Sequence, residues 1–177
     1  MISHRAQCKI ISKFLNIWLN KTMALDLDAI DLRLLALLQA DASRANQALA
    51  EAAQVSPATA LRRVRRLVES GVIERQVAIV SPALAGGLSA VVEITLDRQG
   101  AEHLATFEAR AVAEAAVQQC YRVSPGPDFV LVLWLADMAG YHALVQRLFT
   151  QDANVRNVKT FFSVHRAKFD PRVGLGA

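Results

Sequence analysis

Cysteine is scarce in this sequence. Cys8 and Cys120 are the two in 177 residues, they stand far apart, and neither belongs to a CxxC or a Cys/His ligand spacing. That argues against a disulfide framework or a structural zinc site, and a reducing cytoplasm fits. Cys120 reads as a small buried apolar residue. The four histidines, His4, His103, His142 and His165, show no ligand or acid–base spacing. No catalytic set, metal or cofactor is therefore expected. The apolar stretch from Ile10 to Leu19 is interrupted by Lys13 and Asn16 and is too short to span a bilayer. It also lacks an A-x-A-like cleavage site, so no membrane partner is expected.

A basic surplus is missing from most of the chain. The net charge is +4, but Arg5, Lys9, Lys13 and Lys21 face no acid in residues 1–22 and supply all of it. Residues 23–81 hold seven arginines and seven acids, and residues 82–177 hold nine bases and nine acids. Net charge therefore gives no argument for a nucleic-acid partner; only local clustering can. Residues 1–24 read as a basic extension, either loosely attached or arising from an upstream start, because Met23-Ala24-Leu25-Asp26 resembles a natural beginning.

Hydrophobic residues make up 53% and charged residues 20%. That is globular, with more apolar surface than one small domain readily hides, and oligomerisation is the usual cover. Ile30, Leu34, Leu35, Leu37 and Leu38 recur at helical spacing, with Asp28 and Asp31 at the start, predicting a helix over 28–40. A second helix is predicted over 46–53, burying Leu49, Ala50 and Ala53. Ser56-Pro57 starts a third, to Ser70, and Gly71 suits its left-handed cap. Val72 to Val80 is β-rich, and residues 82–87 read as a linker. From 88 the rhythm changes: strand 88–96, helix 100–116, strand 117–123, strand 129–135, helix 138–150, strand 155–164. This β-α-β-β-α-β order is a ferredoxin-like unit with both helices on one sheet face. The other face needs a cover, and a second subunit is the simplest one. Residues 171–177 form a tail.

The third helix carries the chemistry. Leu61, Val64, Leu67 and Val68 are expected to form its buried stripe. Thr59, Arg62, Arg63 and Arg66 lie on another face, and with Arg65 four arginines crowd two turns before any acid. A short helix and a tight turn precede it, which is how a recognition helix is presented to a major groove. Ala58, Thr59 and Arg62, early in the helix beside Ser56, are best placed for base edges. Arg63, Arg65 and Arg66 are expected to divide between phosphates and further base contacts.

Several motifs, in order, resemble the Lrp/AsnC feast/famine regulators. They are Leu27-Asp-Ala-Ile-Asp-Leu-Arg-Leu-Leu35, Leu49-Ala-Glu-Ala-Ala-Gln-Val-Ser-Pro57, Arg62-Arg-Val-Arg-Arg-Leu-Val-Glu-Ser-Gly-Val-Ile73, Val91-Val-Glu-Ile-Thr-Leu96 and Asp137-Met-Ala-Gly-Tyr141. The resemblance covers about residues 25–168. It implies an α+β protein with an N-terminal winged helix-turn-helix (25–81) and a C-terminal ferredoxin-like, RAM- or ACT-like domain (88–170). The implied function is sequence-specific binding of double-stranded DNA to regulate transcription. Such proteins form dimers, which assemble into octamers or similar rings, and many bind an amino-acid effector near the turn joining the two central strands. Mapped here, Ser124, Gly126 and Asp128 of that turn, with Thr160, are the effector candidates. A carboxylate would meet the α-ammonium, and N–H groups at a glycine turn would hold the α-carboxylate.

Two positions depart from the family pattern. Gln54 stands where glycine is usual, so that turn is expected to be strained. Pro125-Gly126-Pro127-Asp128 replaces the usual Gly-x-x-Asp; two prolines remove donors and leave an altered ligand, or none, open. Two other readings stand beside the regulator. One is an interaction or sensing module that no longer binds DNA. The other is a haem-pathway decarboxylase of similar fold, against which the plain core strand Phe129-Val-Leu-Val-Leu-Trp-Leu135 and the unspaced histidines argue.

Overall fold

The computed structural model describes residues 26–175, so the basic extension lies outside the described residues. The chain divides into two compact units. One runs to Ile79 and takes in the tail from Phe169; the other is Val80–Lys168.

The first unit is three helices: α1 (Ala29–Ala40), α2 (Asn46–Ala53) and α3 (Pro57–Glu69). Asp28 starts α1 with a capping box. Its carboxylate accepts from the Ile30 and Asp31 N–H groups, and Asp31 accepts from the Asp28 N–H. Ser56 caps α3 by accepting from the Thr59 N–H, and Pro57 occupies the first helical position. Leu34, Leu49, Ala50, Ala53 and Ala60 form the buried centre, with Ile30, Leu37, Val55 and Val64 packed around it. Three alanines in that set let the helices approach closely. Gly71 has φ 77° and ends α3 as expected, whereas Gln54 ends α2 in the left-handed region at φ 59°. That costs a non-glycine residue about 1 kcal/mol. The tail is bound to this unit: the Gln39 amide donates to the Val173 carbonyl and accepts from the Val173 N–H, at 3.2 and 2.8 Å.

The β-rich segment Val72–Val80 forms no ladder. From Glu74 it is exposed and carries no regular secondary structure, since one chain offers it no strand to pair with. The expected linker is in part a helical turn, α4 (Pro82–Ala85).

The second unit is a four-stranded antiparallel sheet, ordered β2-β3-β1-β4. The strands are β1 (Leu88–Leu96), β2 (Val117–Arg122), β3 (Phe129–Leu135) and β4 (Val155–Phe162). On one face lie α5 (Ala101–Ala113) and α6 (Met138–Leu144), which continues as a wider π-helical turn (Val145–Thr150). Alternation decides the faces. Ala90, Val92, Ile94 and Leu96 of β1 and Phe129, Leu131, Leu133 and Leu135 of β3 are buried with Phe107, Ala111, Leu144, Leu148 and Phe149. Gly87 leads into β1 at φ 109°, and a Cβ there would lie 2.5 Å from the Leu135 carbonyl oxygen, so only glycine fits. The opposite face carries Val91, Val130, Val132, Trp134, Tyr121 and Phe161; Tyr121 and Phe161 are more than half exposed.

Candidate nucleic-acid interface

Sequence pattern assigns four arginines to one DNA-facing cluster, and the structure divides them into two pairs. Arg62 and Arg65 are exposed on α3 and carry no ion pair among the described residues. Arg63 turns back toward α1. One terminal nitrogen donates to Asp28 Oδ2 at 2.7 Å and to Asp31 Oδ1 at 2.9 Å. Arg66 pairs with Asp31 Oδ2 but keeps 46% of its side chain exposed. Asp31 is completely buried, and Arg63 is only 17% exposed, with a buried Nε that finds no partner among the described residues. Arg63 thus fastens α3 to the helix behind it, whereas the sequence pattern grouped it with the DNA-facing arginines.

The electrostatics follow from this arrangement. Asp28 is held at about 2, first by the Asp31 N–H and then by the Arg63 guanidinium. Arg63 is pushed further up by its bonds to Asp28 and Asp31, so it stays charged. In the sheet unit, desolvation raises the half-buried Cys120 thiol, which makes it less reactive.

The buried stripe of α3 also differs from expectation. Ala60, Val64 and Leu67 face inward, while Leu61 and Val68 are 42% and 47% exposed. The buried face is centred nearer Ala60 than Leu61, and the small Ala60 packs with the alanines of α2. The outward sector therefore holds Ala58, Leu61, Arg62, Arg65, Arg66 and Glu69. Thr59 is half-buried with its hydroxyl 2.9 Å from that of Ser56, so both belong first to the helix cap. The arginine–aspartate clamp does have a signal in the sequence: two acids three apart at the start of α1 and two arginines three apart in α3. Capping accounts for the acids locally and hides their second role.

In the second unit, Ser124, Gly126 and Asp128 lie together in the β2–β3 turn, with Ser124 and Gly126 exposed. Asp128 Oδ2 accepts from the Leu96 N–H at 2.7 Å and from the Gln99 amide at 3.3 Å, while its own N–H donates to Ile94 O. Thr160 does not join them within the chain. It pairs with Val92 on β4, the far edge of the sheet from β2, and its hydroxyl accepts from Tyr141 at 2.8 Å. No cluster of His, Cys, Asp or Glu suited to a metal occurs among the described residues. No described helix is long and apolar enough to cross a membrane.

Comparison with known proteins covers both units. A winged helix-turn-helix DNA-binding profile matches residues 27–74, and the Lrp/AsnC ligand binding domain matches residues 89–173. The chain is 37% identical over 145 residues to an HTH-type transcriptional regulator of Haemophilus influenzae, covering 81% of this chain and 86% of that protein. It is 33% identical over 144 residues to a leucine-responsive regulatory protein of Rhizobium meliloti, covering 81% and 92%. The crystal structure of an AsnC family transcriptional regulator from Agrobacterium tumefaciens superposes with a TM-score of 0.74 at 27% identity, over 83% of this chain and 96% of that one. With a helix-turn-helix that turns arginines outward, and a ferredoxin-like sheet after it in sequence, the chain belongs to the Lrp/AsnC family of transcriptional regulators.

Proposed function

We infer that this chain works as a homo-oligomer that lays α3 in the major groove of duplex DNA, and that it acts by binding rather than catalysis, in the cytoplasm. One observation carries the reading: Arg62 and Arg65 project from α3 with no carboxylate partner among the described residues. A guanidinium in that position bridges guanine O6 and N7 or neutralises a phosphate. Assembly is supported by the apolar residues Val91, Tyr121 and Phe161 exposed on the open face of the sheet and by the exposed Val77, Ile79 and Val80 of the extended segment, surfaces that a second copy would cover. The test is electrophoretic retardation of the region upstream of the protein's own gene. Retardation at low salt that weakens as salt rises is expected; pure oligomer that retards nothing would favour an interaction module instead.

We further infer an amino-acid effector at the β2–β3 turn, supported by the match to the family's ligand binding domain. Asp128 is half-buried, and its Oδ1 takes no hydrogen bond among the described residues, leaving a carboxylate oxygen for an α-ammonium. Thr160 would contribute only across a subunit boundary. A thermal-shift screen against the amino acids should find one that stabilises the native protein but not Asp128→Ala. Equal shifts in both would remove Asp128 from the site.

A further inference from the structure

Resting on the DNA-binding reading, we propose that Leu61 is a specificity-determining residue that packs against the 5-methyl group of a thymine in the major groove. Leu61 is a displaced leucine. Alanine at 60, not leucine at 61, fills the space between α3 and α2, so Leu61 is 42% exposed on a helix whose buried stripe is Ala60, Val64 and Leu67. Val68, two turns on, lies along the same edge and is 47% exposed. With 3.6 residues per turn, the exposed sector has an apolar edge (Leu61, Val68), a basic edge (Arg62, Arg66), and Ala58, Arg65 and Glu69 between them.

Isolated exposed leucines are ordinary and need no explanation. This one is not isolated: Ala58, Leu61, Arg62, Arg65, Arg66 and Glu69 line one shallow depression. The arginines commit that depression to a polyanion, and a polyanion that also offers an apolar surface at the depth of the bases is duplex DNA. In the major groove that surface is the thymine methyl, since every other base edge there presents donors and acceptors. Ala58, one turn earlier, is too short to fill the same space. Glu69 closes the far end of the depression and would disfavour a phosphate there, which helps fix the helix's direction in the groove.

Duplexes selected from a random-sequence pool by the full chain serve as probes, with each thymine replaced in turn by deoxyuridine, which removes only the methyl. Burial of one methyl is worth about a fourfold change in affinity. The wild-type protein should bind about fourfold more weakly when one particular thymine of each half-site is replaced. Leu61→Ala should bind the thymine and deoxyuridine duplexes equally, and Leu61→Met should restore the difference. The exposed position makes these variants compatible with folding, and the scan on the wild-type protein needs no variant at all. A scan without a methyl-sensitive position, a selected site lacking thymine, or an unchanged fourfold difference in Leu61→Ala would each overturn the proposal while leaving DNA binding intact. Failure to select any duplex at low salt would instead overturn the DNA-binding reading and this one with it.

Discussion

Among the described residues the buried interior of the sheet unit is apolar: Ala90, Val92, Ile94 and Leu96 against Phe129, Leu131 and Leu133, closed by Phe107, Leu144 and Phe149. The helical unit hides a smaller set, in which alanines are prominent and one buried residue is a carboxylate, Asp31. The difference shows how a small DNA-reading unit fixes a helix it cannot bury deeply. α3 must keep one long face outside, so packing alone holds it weakly. The Asp28–Arg63–Asp31–Arg66 cluster adds directional bonds between α3 and the start of α1. Arg63 is thus drawn into fixing the helix, Arg66 shares that task from the outer face, and Arg62 and Arg65 stay on that face without an ion pair among the described residues.

Removal of Asp31 strikes hardest at this contrast. Asp31→Ala leaves the largely buried Arg63 guanidinium without its inner partner. Breaking a buried pair from one side costs about 3 kcal/mol. Hydrogen exchange should show α1–α3 opening far more readily while β1–β4 keep their protection; equal loss in both units would mean that they unfold as one.

A smaller change of opposite sign is expected at the left-handed turn. Gln54→Gly should stabilise the helical unit by about 1 kcal/mol by removing the penalty of φ 59°. Removal of the exposed 3.3 Å bond from Arg33 to the Gln54 side chain offsets little of that gain. Denaturant midpoints of the two proteins check it, and a lower midpoint for the glycine variant would show that the side chain matters more than the backbone.

Acid gives the mildest separation of the two units. Asp28 is depressed when folded, from an ordinary 3.8 to about 2. Its contribution is therefore present above 3.8 and is lost as the pH falls toward about 2. Protection of the α1 amides should decline over that window in the wild type, and this component should vanish in Asp28→Asn. An unchanged decline in the variant would assign the acid sensitivity elsewhere.

Much of this architecture is legible in the residues. Ser56-Pro57 and Gly71 bracket α3, Asp28 starts α1, and the apolar runs of β1 and β3 mark strands, because caps and such runs are local; which face of β3 is buried is not legible in a run without polar residues. Departures arise where tertiary packing overrides local pattern. Hydrophobicity alone puts Leu61 in the apolar stripe, yet close approach to α2 favours the smaller Ala60. Charge clustering alone puts Arg63 on the DNA, yet its partners stand more than thirty positions earlier in the chain. Thr160 belongs with the effector turn by resemblance, although the register opposite Val92 separates it from Asp128. Val72–Val80 has the composition of a strand but no strand partner within one chain.

On the proposed function, Arg62 and Arg65, and not Arg63, present this helix to DNA. The direct measurement is the affinity of the full-length protein for a selected duplex over a range of salt, for the wild type and for the Arg62→Ala/Arg65→Ala double variant, with thermal unfolding followed in parallel. Unfolding should be unchanged and binding weakened by at least about tenfold, with a salt slope shallower by about 0.9 for each phosphate no longer neutralised. Undiminished binding with an unaltered slope in a folded double variant would mean that other groups present this helix to DNA.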